Sequence, residues 1–384
     1  IQDFESIING GYTYVDKTAL VYRLVTEGKI YFLSRPRRFG KSLLVSTLKA
    51  YFKGQKELFK GLAIDGLETE WAEYPVFHLD FNGDNFTKAG VLEEKIVGAI
   101  ETWEAEYGRD PYKQALGDRF IYVLAQAAKR YGRRAVVLID EYDKPLLDVL
   151  DTGFSTVVDG ERRLLEDHHR NILKGFYSVF KAADANLQFV LLTGVTKFSQ
   201  VSVFSGFNQP EDISMSRDYE ALCGITEEEL YSYFAEPIAE LAEDNDCSVN
   251  EMKQMLKKQY DGYHFGKRMT DIYNPFSILN ACKSCNIDDY WFRSGTPSYL
   301  IRLLNHTQEN LNELTGKYYD TSEFIDYKAD VEKPLPMIFQ SGYLTVKGFD
   351  REMNTYLLDF PNNEVKKGFV TMVANDYLKT RNNF

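Results

Sequence analysis

The stretch "LSRPRRFGKSLL", residues 33–44, decides how this chain is read. Its second half, with Gly40, Lys41 and Ser42, completes the phosphate-loop pattern G-x-x-x-x-G-K-[ST]. Its first half does not, because Arg35 stands where the first glycine belongs. A phosphate loop needs converging backbone N–H groups, a helix N-terminus behind them and a lysine reaching the outer phosphates. The apolar run Ile30 to Leu33 leads in as a strand, and Leu43, Leu44 and Leu48 give the following segment a helical apolar face. Arg35 and Pro36 cannot take the positive φ that glycine allows, so the loop entry is expected to follow a different backbone path. Arg37, Arg38, Phe39, Gly40, Lys41, Ser42 and Leu43 are the candidate nucleotide-binding residues, with the two arginines as forks for phosphate oxygens.

A second motif supports the first. "AVVLIDEYDKP", residues 135–145, is an apolar strand that ends in Asp140 and Glu141. Such a strand offers a carboxylate for the Mg²⁺ shell and another to orient or deprotonate water. Ser42 and Asp140 are therefore the candidate metal residues, and Lys41 and Glu141 candidate catalytic ones. "LLTGVTKFS", residues 191–199, sets Thr193 at a strand end as a third catalytic candidate, a sensor of the outer phosphate, with Thr196 and Lys197 as rivals. If the Thr193 strand lies between the Asp140 strand and the loop strand, the topology is that of the additional-strand P-loop ATPases.

Composition bounds the rest. At 384 residues and 44% hydrophobic, the chain is long enough for two or three domains. A net charge of −12 argues against a surface that attracts nucleic acid everywhere, though not against a local basic patch. Four cysteines make no disulfide framework and suit a cytoplasmic location. Cys282 and Cys285 have zinc-knuckle spacing without a second pair, so no zinc is assigned. No apolar run is long enough to span a membrane.

Alternating strands and helical patterns over 1–220 predict an α/β domain with a five-stranded parallel sheet and helices on both faces. Helices are expected at 88–107, 114–131 and 162–183, with His168 and His169 solvated on the last. Asp16 fits a cap for a helix over 17–27, with nucleotide contact by Tyr14, Asp16 and Lys17 as the weaker reading. Residues 221–310 read as an all-helical lid, opened by the Thr226 and Glu229 capping box and a helix over 227–243. The aromatics of "YDGYHFG" (260–266) and "YWF" (290–292) are expected to pack that lid. Residues 311–384 read as a winged-helix-like unit, with strands at 342–349 and 355–360, and the start of a truncated C-terminal domain.

The blocks "YTYVDKT" (12–18), "YFLSRPRRFGKSLLVSTL" (31–48), "VVLIDEYDKPL" (136–146), "LLTGVTKFSQVSVFSGFN" (191–208), "YDGYHF" (260–265), "YNPFSILN" (273–280) and "YWFRSGTPSYL" (290–300) together resemble the predicted AAA-ATPase-like family of bacterial proteins. The resemblance implies a bacterial P-loop NTPase with Walker A and Walker B motifs, in which "RPRRFGKS" is the usual loop. Ser294 departs from the threonine more common there and keeps the hydroxyl. Members commonly carry a PD-(D/E)XK nuclease-like domain after the ATPase portion. This chain is expected to stop at its threshold, near 356–370, so the missing domain is a candidate for contact with nucleic acid, while Asp350, Glu352 and Asp359 offset Lys347 and Arg351 and make the wing a poor surface for tracking phosphates.

The leading reading is an Mg²⁺-dependent ATPase, an NTP hydrolase binding ATP, whose nucleotide state moves a lid or effector domain. Arg37, Arg38 and Arg217 are candidates for a charge-stabilising arginine in cis, and a neighbouring subunit of a homo-oligomer could supply one in trans. The alternatives are a nucleotide switch or scaffold that does not hydrolyse, and an ATP-gated DNA-binding module.

Overall fold

The computed structural model describes residues 2–198, 210–307, 309–326 and 333–381, the side chains of the last six excepted. The block at 199–208 therefore lies outside the described residues. Contacts divide the chain into two units. One comprises Ile1–Leu33, Lys41–Gly194 and Phe198–Ile213; the other comprises Ser34–Gly40, Val195–Lys197 and Ser214–Phe384. The stretches 221–310 and 311–384, separate in the sequence reading, fall within that second unit.

The first unit is built on β1 (Ile30–Ser34), β2 (Val76–Asp80), β3 (Ala135–Asp140), the hairpin strands β4 (Ser155–Val158) and β5 (Glu161–Leu164), β6 (Leu187–Gly194) and β7 (Glu211–Asp212). Five of these form one parallel sheet in the order β2-β3-β6-β1-β7. Every residue of β3 is buried, which requires cover on both sheet faces and explains its unbroken apolar sequence. β6 lies between β3 and β1, the additional-strand order expected from the motifs. In register, Asp80 pairs with Asp140 and Ile139 with Leu192, so the polar ends of three adjacent strands meet at one sheet edge.

Helices Lys41–Phe52, Val91–Tyr107 and Leu116–Tyr131 form where the apolar spacing places them. Asp16 does not hold the N-cap position, which falls to Lys17 and carries no side-chain bond; one residue earlier it accepts from Thr18 N and Oγ1 (2.8 and 2.6 Å), and its other oxygen accepts from Ala63 N. The helix expected over 162–183 is corrected. Its first residues pair as β5 with β4 around Asp159 and Gly160, whose φ values of 50° and 82° make the tight Asp-Gly hairpin turn. Helix begins only at Leu165. His169 is buried rather than solvated, its Nδ1 donating to Pro145 O at 2.9 Å.

In the second unit, Thr226 and Glu229 make the expected capping box, but the helix over 227–243 breaks into Glu227–Tyr233 and Ala235–Asp244. Pro237 explains the break, since proline is accommodated in a helix's first turn and not in its middle. Helices Val249–Tyr260 and Pro275–Ser284 follow. The strands Thr345–Asp350 and Thr355–Asp359 pair antiparallel, and Lys317–Tyr319 adds a third.

Glu364, in the first turn of Asn363–Arg381, is fully buried and accepts from Ser277 Oγ (2.9 Å) and Trp291 N (3.3 Å). Burial pushes its carboxyl from an ordinary 4.5 up to about 8, against the pull of those two donors. An acid whose folded pKa is raised holds its proton longer in the native state. Its contribution to stability is complete below the unfolded value and is lost as pH rises towards the folded one. The chain is expected to lose a few kcal/mol between about pH 5 and pH 8 that Glu364→Gln does not lose. Urea unfolding at several pH values checks this; parallel curves for the two proteins would show that Glu364 is not the titrating group.

Candidate nucleotide site

In the first unit, Lys41 opens the helix Lys41–Phe52 at the end of the loop. Its side chain is 3% exposed, with Nζ 3.6 Å from Glu141 Oε1. Glu141 follows β3 with φ of 55°, a left-handed conformation that costs a non-glycine residue about 1–2 kcal/mol. Strain of that kind persists where the surroundings fix it, and it marks Glu141 as a residue held for its position. Burial pushes its carboxyl up, Lys41 pulls it back, and Asp140 and Asp80 push in the same direction as burial.

Asp140 is buried, and Thr193 Oγ1 donates to its Oδ1 at 2.6 Å. Thr193 is itself fully buried, so its hydroxyl is directed to Asp140. Gly194 is required beside it, because a Cβ there would lie 2.6 Å from Asp143 Oδ1 and 2.7 Å from the Tyr142 ring. Thr196 and Lys197 belong to the second unit, where Thr196 is buried and Lys197 pairs at 3.3 Å with Asp326. Asp80 joins Asp140 and Glu141 at the sheet edge and was not picked out from sequence. Its signal was there: "VFHLD" is a second apolar strand ending in an acid.

Ser42 and Asp140 supply hard oxygen donors. That set suits Mg²⁺, which takes one or two protein oxygens and completes its shell with phosphates and water. Among the described residues no cluster of three or more histidine, cysteine or acidic side chains could hold a metal by itself.

The arginine-bearing half of the loop is a structure of the second unit. Positive φ falls on Arg38 (65°) and Gly40 (95°), not on Arg35 or Pro36, so the loop entry asks nothing of position 35 that arginine cannot give. A Cβ on Gly40 would meet nothing within 4 Å, which leaves open space over the loop. Arg35 is 1% exposed. Its guanidinium donates to Ser34 O (3.0 Å), Ser214 O (2.6 Å) and Tyr219 O (3.2 Å) and lies 4.0 Å over the Phe265 ring. Arg37 donates to Ser294 Oγ (2.7 Å) and Trp291 O (3.2 Å) and stacks on Trp291, whose Nε1 donates back to Arg37 O. Arg38 lies over Phe276 at 4.4 Å, and Phe39 packs edge-on against Tyr263 and Phe265. The aromatic clusters at 260–266 and 290–292 thus grip the loop's first half. Leu43 follows on the helix, its carbonyl accepting from Ser46 and Thr47 hydroxyls.

A family model described as predicted AAA-ATPase, AAA-ATPase-like, matches residues 1–204, just over half of the chain. The chain belongs to the AAA-ATPase-like family. This AAA-ATPase-like chain is 36% identical over 370 residues to an uncharacterized protein in the vnfD 5′ region of Azotobacter chroococcum mcd 1, spanning 95% of this chain and 67% of that one. The Aeropyrum pernix ORC1 protein, in a structure with DNA, aligns over 95% of this chain and 94% of its own at 9% identity and a TM-score of 0.32. The strand order is the ground for the AAA-like fold, not that superposition. No helix among the described residues is long and apolar enough to cross a membrane.

Proposed function

We propose that this AAA-ATPase-like protein is an Mg²⁺-dependent ATPase. The observation that supports it most is the meeting of buried Lys41, strained Glu141 and the Thr193-oriented Asp140 at the carboxyl edge of adjacent parallel strands, where open α/β sheets bind their ligands. Lys41 and the loop amides bind the outer phosphates. Glu141 orients the attacking water and takes its proton. Ser42 and Asp140 would hold Mg²⁺, which when bound neutralises charge on the β and γ phosphates. The bond to Asp140 supports Thr193 as a positioning residue more directly than as a contact to the γ-phosphate. Arg37 and Arg38 act as anchors of the loop, which favours a trans arginine from a second copy as the charge-stabilising group.

The coupling follows from chain connectivity. Residues 34–40 belong to the second unit and Lys41 to the first, so the chain passes from one unit to the other within the loop. Binding of a fluorescent ATP analogue and phosphate release with Mg·ATP test the proposal. Lys41→Ala is expected to weaken nucleotide binding by about 10- to 100-fold, the loss of a charged hydrogen-bond donor to phosphate. Undiminished affinity in that variant would remove the lysine from the site.

A further inference from the structure

The second unit has an open cleft of about 550 Å³ lined by Met215, Arg217, Lys267, Arg268 and Arg351, close in sequence to the Ser214, Tyr219 and Phe265 that hold Arg35. Four of its five lining residues are cationic in a chain whose net charge is −12. They come from three separate places: the segment after β7, the loop that ends "YDGYHFGKR", and the turn between strands Thr345–Asp350 and Thr355–Asp359. Charges of one sign placed together by three loops repel one another.

Their counter-ions are few. Among the described residues Lys267, Arg268 and Arg351 make no ion pair, and only Arg217, 70% exposed, has one, with Asp218 at 3.7 Å. Buried Glu220 accepts from Arg268 N (3.2 Å) and Thr270 Oγ1 (2.6 Å), which fixes the backbone of the loop that carries Lys267 and Arg268. Asp350 accepts from Glu352 N and Met353 N and shapes the turn that presents Arg351. Lys267 Nζ stands 4.3 Å over Phe349, which fixes its direction. Lys347, the other cation of the hairpin, is turned inward onto Gly262 O and Pro361 O and takes no part.

We infer that this cleft binds the phosphate backbone of a nucleic acid strand. It is open and four of its five lining residues are cationic, which suits a chain of phosphates better than an enclosed small ligand. Phosphate contacts of this kind give affinity without sequence preference. The acidic remainder of the chain confines the attraction to the cleft. The contact is made by this chain's own loops and needs no further domain.

The test is fluorescence anisotropy of the full chain with a fluorescein-labelled oligothymidylate about 20 nucleotides long, across a salt series. Four phosphate contacts predict an affinity that falls about 50-fold between about 50 and 200 mM salt, and Arg268→Ala/Arg351→Ala, leaving two, predicts a fall of about 7-fold. The double variant binds more weakly at low salt and keeps the thermal midpoint and nucleotide affinity of the parent. Equal salt slopes in the two proteins, or no binding by the parent, would overturn the inference. So would displacement of a bound anionic dye from the cleft by inorganic tripolyphosphate but not by the oligonucleotide, which would make it a small-anion site.

Discussion

Glu141→Gln is expected to lower Mg·ATP turnover by about 10²- to 10⁴-fold, the range lost with a positioned general base, while nucleotide affinity stays within a few-fold of the parent. Glutamine keeps the volume and one oxygen of the side chain and loses the negative charge, and with it the basicity and the ion pair to Lys41. An unchanged thermal midpoint in the variant would show that a fall in turnover reports chemistry and not a refolded edge. The pH profile adds a second readout. Burial, Asp140 and Asp80 raise the Glu141 carboxyl against the pull of Lys41. A base must be ionised to act, so the acidic limb of kcat is expected above the ordinary glutamate range, with activity rising as pH rises through it. Turnover in Glu141→Gln equal to that of the parent would end the assignment of Glu141 as the base.

Arg35→Ala is expected to destabilise the chain by about 3–5 kcal/mol. The variant leaves the Ser214 and Tyr219 carbonyls without their charged donor and uncovers Phe265, in a place water does not readily enter. Arg35→Lys should recover only part of this, because one ammonium cannot reproduce a planar fork over an aromatic ring while serving three carbonyls. Denaturant unfolding of the three proteins measures it. A loss below about 1 kcal/mol would mean that the three bonds contribute no more than an ordinary exposed contact.

Much of the first unit was legible because its signals are local and redundant. An apolar strand, a glycine-lysine-serine turn and an apolar helix specify one another, and the Asp140 strand repeats the pattern. The split of 162–183 is hidden in the sequence because Leu164 and Leu165 run on into the helical apolar spacing of Leu165, His169 and Leu173, and only the Asp-Gly turn before them marks the hairpin. The role of Thr193 was assigned from its place at a strand end, and a place does not tell which neighbour a hydroxyl will choose. Charge alone points Arg37 and Arg38 at phosphate, and Arg35 reads only as an altered loop entry. Their partners, Trp291, Ser294, Phe265 and Phe276, lie more than two hundred residues away in sequence, and no local pattern announces such a meeting. The aromatic loops were read as lid packing, which leaves out that what they pack on is the arginine stretch.

The placement of 34–40 in the second unit also governs how the molecule can be dissected. A fragment cut after Ile213 keeps Lys41, Asp140 and Glu141 but carries Arg35 without the Ser214 and Tyr219 carbonyls it binds. A fragment beginning at Ser214 keeps Trp291 and Phe265 but lacks the seven-residue segment that lies against them. The two units are interleaved in sequence, and a single expression boundary leaves one of them without part of its own interior.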